Sequence, residues 1–128
     1  MNFMNAITIL ILVQYVFFGA LVAKARKQFN VQAPSMTGPE GFECVVRVHQ
    51  NTLERVVVFL PLMWIAFNVW QAALVAALGV VFFVGRLVYW KGYVQSPAKR
   101  MAGNAITMAS IGITLLLCLV GLAKLAFA

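Results

Sequence analysis

Apolar runs and short polar stretches alternate along the chain. Residues 3–23 are uncharged and of transmembrane length, with Asn5 and Gln14 as the polar exceptions. Ala23-Lys24-Ala25 resembles a signal cleavage site, but no positive segment precedes it and the apolar stretch is long, so it reads as a retained first helix. A connection over 24–41 opens with Lys24, Arg26 and Lys27 and carries Pro34, Gly38 and Pro39, which stop a helix. The second helix starts near Pro39 or Glu40 with a polar half. Its apolar half, residues 56–70, is too short to span a bilayer alone, so the polar half must project beyond the membrane or be shielded by neighbours. Pro61 predicts a kink there. An uncharged link at 68–71 leads to a third helix ending near Tyr93, and Ser96-Pro97 marks a restart with proline in the first turn. The pattern predicts helices at about 2–25, 40–70, 71–93 and 97–125 in one domain. The expected fold is all-α, an integral membrane four-helix bundle in up-down order.

Composition supports a lipid setting. The chain of 128 residues is 63% hydrophobic and 10% charged, against about 45–50% and about 25% in soluble domains. The net charge of +7 raises the question of nucleic acid, but nine of the ten basic residues fall in two clusters, Lys24–Arg55 and Arg86–Arg100, between apolar segments. That is the pattern of cytoplasmic loops rather than of a basic stripe, so no nucleic-acid partner is expected. The positive-inside rule places both basic loops in the cytoplasm and both termini across the membrane, in a bacterial inner membrane or an organelle membrane. Cys44 and Cys118 are two unpaired thiols, and with His49 the only histidine no metal site is expected.

The up-down order brings the start of helix two and the end of helix three to one membrane face. Arg47, Asn51 and Glu54 share one helical face over about two turns. An Asn and a Glu in a membrane helix are candidates for a site by default, with a structural Glu–Arg pair as the alternative. Arg86, Tyr89 and Tyr93 share a face on helix three, and Arg100 follows. Individually, Arg86, Tyr89 and Lys91 also fit interfacial anchors. Together, forked guanidinium donors, an amide, one carboxylate and two phenols suit a small, polar, mostly anionic ligand at the membrane edge, such as a tripeptide with two carboxylates and one amine.

FECVVRVHQNTLE (Phe42 to Glu54), the TGPEGFE approach, and GRLVYWKGY (Gly85 to Tyr93) with Lys99-Arg100 resemble the MAPEG family, the membrane-associated proteins in eicosanoid and glutathione metabolism. The resemblance covers essentially the whole chain. It is nearest to a bacterial-type member of the branch holding microsomal glutathione transferase 2 and leukotriene synthase. The resemblance implies a homotrimer that binds glutathione between subunits near the cytosolic face. It implies glutathione contacts from Arg26, Arg47, His49, Asn51, Glu54, Arg86, Tyr89 and Tyr93, and a thiolate-stabilising role for Arg100. A lipophilic electrophile would arrive from the bilayer, in a groove lined by helices one and four. Arg55 departs from the leukotriene synthase branch, which has a tyrosine there; His49 stands where glutamine is common, and Lys27 where an arginine follows Arg26.

The expected function is therefore a membrane-bound glutathione transferase, and the same site chemistry would admit glutathione-dependent reduction of lipid hydroperoxides. Two readings compete with it. One is a non-catalytic lipid-binding member of the same fold, against which Tyr93 and Arg100 together argue. The other is a small multidrug transporter, which needs a midplane acid for proton coupling; Glu54, expected near a helix end beside Arg55, argues against it.

Overall fold

A computed structural model describes residues 2–128. Four long helices, α1 (Asn2–Phe29), α2 (Glu40–Phe67), α3 (Ala72–Gln95) and α4 (Met101–Ala126), are joined by short connections, with a 3₁₀ turn at Pro97–Arg100 leading into α4. α1 packs on α2 and α3, α4 packs on α3 and α2, and α2 touches α3 across the middle.

The helix ends follow from local chemistry. α1 runs past the expected stop near residue 25 to Phe29, which keeps Arg26 and Lys27 on the helix. It ends at Asn30, whose φ of 53° is tolerated by a short amide side chain, while the Val31 N–H returns to the Arg26 carbonyl at 3.0 Å. Pro39 precedes α2, and Glu40 and Glu43 lie in its first turn, where the helix dipole favours carboxylates. α2 contains Pro61 and ends at Phe67 rather than near Trp70. There Asn68 Nδ2 donates to the Trp64 carbonyl and the Trp70 N–H to the Ala66 carbonyl, closing the chain into a turn. The restart at Pro97 is tighter than an α-helix, because the Lys99 N–H reaches back only to the Ser96 carbonyl.

Among the described residues, three helical segments are long and apolar enough to cross a membrane: α1, α3 and Pro97–Ala126. α2 is as long, but the charged and amide side chains of its first half lower its hydropathy, in line with an apolar half too short to span alone. The outer surface is apolar: Phe3, Val16, Leu116, Leu122 and Leu125 are all well exposed. Inside, Met4, Ile7, Ile11, Phe59, Met63 and Phe82 form the main core, with the Phe59 and Phe82 rings stacked at 4.3 Å. Several polar groups within it find internal partners, as a lipid solvent demands, although Gln14 Oε1 has none among the described residues. Trp64 Nε1 donates to Thr8 Oγ1, Trp70 Nε1 to the Leu117 carbonyl, Gln14 Nε2 to the Phe83 carbonyl and Ser110 Oγ to the Leu78 carbonyl.

Candidate functional site

The polar face of α2 meets α3 and α4 through one buried guanidinium. Arg86 is fully buried. Its Nη1 donates to Asn51 Oδ1 at 2.7 Å and lies 3.5 Å from Thr52 Oγ1, and its Nε donates to Thr107 Oγ1 at 3.1 Å. Nη2 has no partner among the described residues. Asn51 passes the connection on, its Nδ2 donating to Glu54 Oε2 at 3.3 Å, while Glu54 Oε1 pairs with Arg47 Nη1 at 3.2 Å. A fully buried arginine is thus linked to a half-exposed ion pair through one amide.

A second branch runs along α3. The Arg86 guanidinium lies 4.2 Å from the Tyr89 ring centroid, Tyr89 meets Tyr93 edge-to-face at 5.4 Å, and the Arg100 guanidinium sits 5.6 Å from the Tyr93 ring. Each contact is a cation or ring edge against a π face, an attractive geometry. Arg100 Nη1 also donates to the Pro97 carbonyl at 2.6 Å, so the 3₁₀ turn aims its guanidinium back toward α3.

Two glycines allow this convergence. A Cβ on Gly103 would collide with the backbone of Tyr89. A Cβ on Gly85 would lie 2.8 Å from Thr107 Oγ1 and 2.9 Å from its backbone nitrogen. Glycine at both places lets α3 and α4 touch backbone to backbone, which sets Thr107 against Arg86 and Tyr93 near Arg100.

A cavity of about 320 Å³ opens over the exposed end of this array. Its walls include Glu40, Glu43, Cys44, Arg47 and Tyr93, with Met36 and Pro97 at the edge. Carboxylates and a guanidinium thus face one hollow, together with a phenol. Burial, then the charges of Glu40 and Glu43, push the Cys44 thiol up from its ordinary pKa, so it stays protonated.

Of the residues singled out in the sequence, Arg47, Asn51, Glu54, Arg86, Tyr89, Tyr93 and Arg100 form this one connected array. Arg26 and His49 do not join it. Arg26 is committed to the α1–α2 connection, donating to the Ser35 carbonyl at 2.7 Å and lying over Phe42 at 5.3 Å. His49 points the other way from Arg47, stacked on Tyr15 at 4.6 Å and beside Gly19 of α1. Glu54 lies mid-helix in α2, not near an end as expected, and its carboxylate is paired with Arg47. Thr52 and Thr107 went unassigned in the sequence; Thr107 belongs with Ser110 and Thr114 to a row of buried small polar residues at helical spacing on α4. Arg55 Nε is buried without a partner among the described residues.

The MAPEG family model matches residues 4–120. The chain belongs to the MAPEG family. Human microsomal glutathione S-transferase 2 is 35% identical over 119 residues, covering 93% of this chain and 81% of its own. Bovine leukotriene C4 synthase is 30% identical over 117 residues, covering 91% and 78%. An uncharacterized protein from Synechocystis is 42% identical over 101 residues, covering 78% and 73%. Each match spans most of this MAPEG chain, including the α2 and α3 segments that build the array.

Proposed function

We propose that this protein is a membrane-bound glutathione transferase that activates the glutathione thiol for attack on lipophilic electrophiles. The observation that supports it most is that Arg47 and Tyr93, one from each branch of the array, wall one cavity. Behind them the Arg47–Glu54–Asn51–Arg86 chain offers complementary charges for carboxylates and an amine, and the Arg100 guanidinium lies against the Tyr93 ring. Membership in a family with relatives named as a glutathione S-transferase and a leukotriene C4 synthase supports the same co-substrate.

The chemistry follows from charge. A free thiol has a pKa of about 8.5, so little thiolate exists at neutral pH. Lowering it by about two units takes about 2.7 kcal/mol of preferential stabilisation of the anion. Arg100 provides that by donating to the sulfur. The thiol proton passes to water, the sulfur bonds to the electrophilic carbon, and the leaving group departs with its bonding pair. Arg47, Asn51, Glu54, Arg86, Tyr89 and Tyr93 hold and orient the peptide. With a hydroperoxide, two glutathiones give the disulfide, an alcohol and water.

Arg26 and His49 face away from this array, and a homotrimer accounts for both. In it, the α1–α2 face of one copy completes the cavity of the next. The basic connections support a cytoplasmic position for that cavity. The deciding experiment is glutathione conjugation of an aryl halide by detergent-purified protein, run beside a hydroperoxide. Conjugation lost in Arg100→Ala, with glutathione binding still measurable by calorimetry, is expected. Glutathione binding without turnover of either substrate points instead to the non-catalytic lipid-binding reading.

A further inference from the structure

The face of α3 turned away from Arg86, Tyr89 and Tyr93 borders a separate, elongated hollow. Near the start of α1, Ile7 and Leu10 meet Ala76 and Val80 around about 380 Å³. Leu10 also walls the next hollow, of about 220 Å³, with Phe17, Phe83 and Leu87. Leu87 in turn borders a third, of about 500 Å³, where Gly92 and Gln95 lie with Lys91 and Lys99. Leu10 and Leu87 each wall two of the hollows, so the three lie end to end along α3, and we read them as one track. From Ala76 to Lys91 it follows about 22 Å of helix, at about 1.5 Å per residue. One leaflet of hydrocarbon is about 15 Å deep, half of a core of about 30 Å. The track is therefore long enough for an extended acyl chain.

Its polar end is built by local structure. A Cβ on Gly92 would collide with the carbonyl of Lys99, so glycine there lets the 3₁₀ turn close on α3 and bring Lys99 beside Lys91. Lys99 Nζ donates to Gln95 Oε1 at 3.3 Å, and the Lys91 ammonium lies 4.3 Å from the Trp90 ring centroid. The chain's three acidic residues, Glu40, Glu43 and Glu54, all lie on α2, and none pairs with either lysine. Snorkelling alone accounts for a lysine at a membrane edge. It does not account for two of them lining the same open end of an apolar track.

We propose that this track holds an acyl chain of an anionic phospholipid from the surrounding bilayer, with its phosphate between Lys91 and Lys99. Basic pockets at the end of membrane helices are where such headgroups are held. The bound lipid buttresses the end of α3 whose other face carries Tyr89 and Tyr93. The site is independent of the transferase reading, since none of its residues belongs to the array around Arg86.

The test is native mass spectrometry of the purified protein after exchange with phosphatidylglycerol or phosphatidylcholine. Phosphatidylglycerol is expected to be retained in preference. In the double variant Lys91→Gln/Lys99→Gln that preference falls about 30-fold, the factor for two lysines at roughly 1 kcal/mol each. Lys24→Gln/Lys27→Gln removes the same charge elsewhere and keeps the preference. Leu87→Trp, which fills the track, lowers retention of both lipids. An unchanged preference in Lys91→Gln/Lys99→Gln overturns the proposal, as does an equal loss in the Lys24/Lys27 control. So does retention of oleate ahead of phosphatidylglycerol, which makes a free fatty acid the occupant. A disulfide joining two Leu87→Cys copies also overturns it, since a second chain then covers the track.

Discussion

Arg86 on α3 and Asn51 on α2 share a 2.7 Å hydrogen bond inside the bundle, and no carboxylate pairs with that guanidinium among the described residues. Its positive charge is stabilised by an amide oxygen, two threonine hydroxyls and a phenol ring. Burying a charge is costly unless every contact to it is kept. The pair is therefore asymmetric. Asn51→Leu leaves the cation buried with its best acceptor gone, at a cost of about 1.5–3 kcal/mol. Arg86→Met removes the charge itself and leaves Asn51 bonded to Glu54, so it costs less. Once Arg86 is Met, adding Asn51→Leu costs little. Thermal unfolding of the four proteins in detergent measures this cycle; equal, additive losses would show that the two residues are not coupled.

The α3–α4 contact makes a contrasting pair of glycine predictions. Gly103→Ala drives a methyl into the Tyr89 backbone, a clash no rotamer relieves. An overpacking cost of about 1–3 kcal/mol is expected, with lost activity, because α4 moves away from Tyr93. Gly112→Ala meets nothing within 4 Å and gains helix propensity, so it is neutral or slightly stabilising. Melting temperatures of the two variants side by side decide the matter, and similar values would count against close α3–α4 packing.

Much of this was legible in the chain because helical spacing is local. Arg47, Asn51 and Glu54 share a face by period alone, and their contacts in the structure join neighbouring turns of one helix. The bond from Arg86 to Thr107 was not legible, since it depends on two glycines letting different helices approach. His49 is the reverse case. Its place two residues after Arg47 puts it on the far side of α2, against Tyr15, and away from the array around Arg86. The shortened α2 was hidden for another reason: the apolar pattern continues to Trp70, but Asn68 turns its amide back to Trp64 and ends the helix there.

The Arg47–Glu54 pair predicts a separation of stability from binding. The two side chains are 44% and 52% exposed, so the pair contributes at most about 1 kcal/mol to folding. Arg47→Ala is expected to leave the melting temperature nearly unchanged. If Arg47 receives a glutathione carboxylate, the same change weakens glutathione binding by about tenfold or more, the loss of one charge-assisted hydrogen bond. Calorimetry on the purified protein checks it, and unaltered affinity would remove Arg47 from the pocket.

Arg100 predicts a shift in the pH profile. If Arg100 donates to the glutathione sulfur, as proposed, it favours the thiolate, and conjugation by the native protein levels off at a lower pH than it does for a free thiol. In Arg100→Ala the thiol returns toward its ordinary value, and the rate climbs only at more alkaline pH. Arg100→Lys restores part of the effect, since a point charge replaces the fork. The thiolate band in ultraviolet difference spectra follows the same titration. A profile unmoved in Arg100→Ala would sink the assignment.

Cys44 offers a readout at the cavity that needs no turnover. Its thiol is held protonated first by burial and then by Glu40 and Glu43, so alkylation by iodoacetamide near neutral pH is slow. Glu43→Gln removes one of the two nearby anions, which lowers the thiol pKa and raises the labelling rate by a modest factor. Burial remains, so the rate stays below that of a free thiol. Because Cys44 shares the cavity wall with Arg47 and Tyr93, glutathione in the cavity slows the labelling further, and in proportion to occupancy. Mass-spectrometric labelling rates across a glutathione titration then yield an affinity to set beside calorimetry. Protection that persists in Arg47→Ala, or labelling indifferent to glutathione, would place the peptide elsewhere.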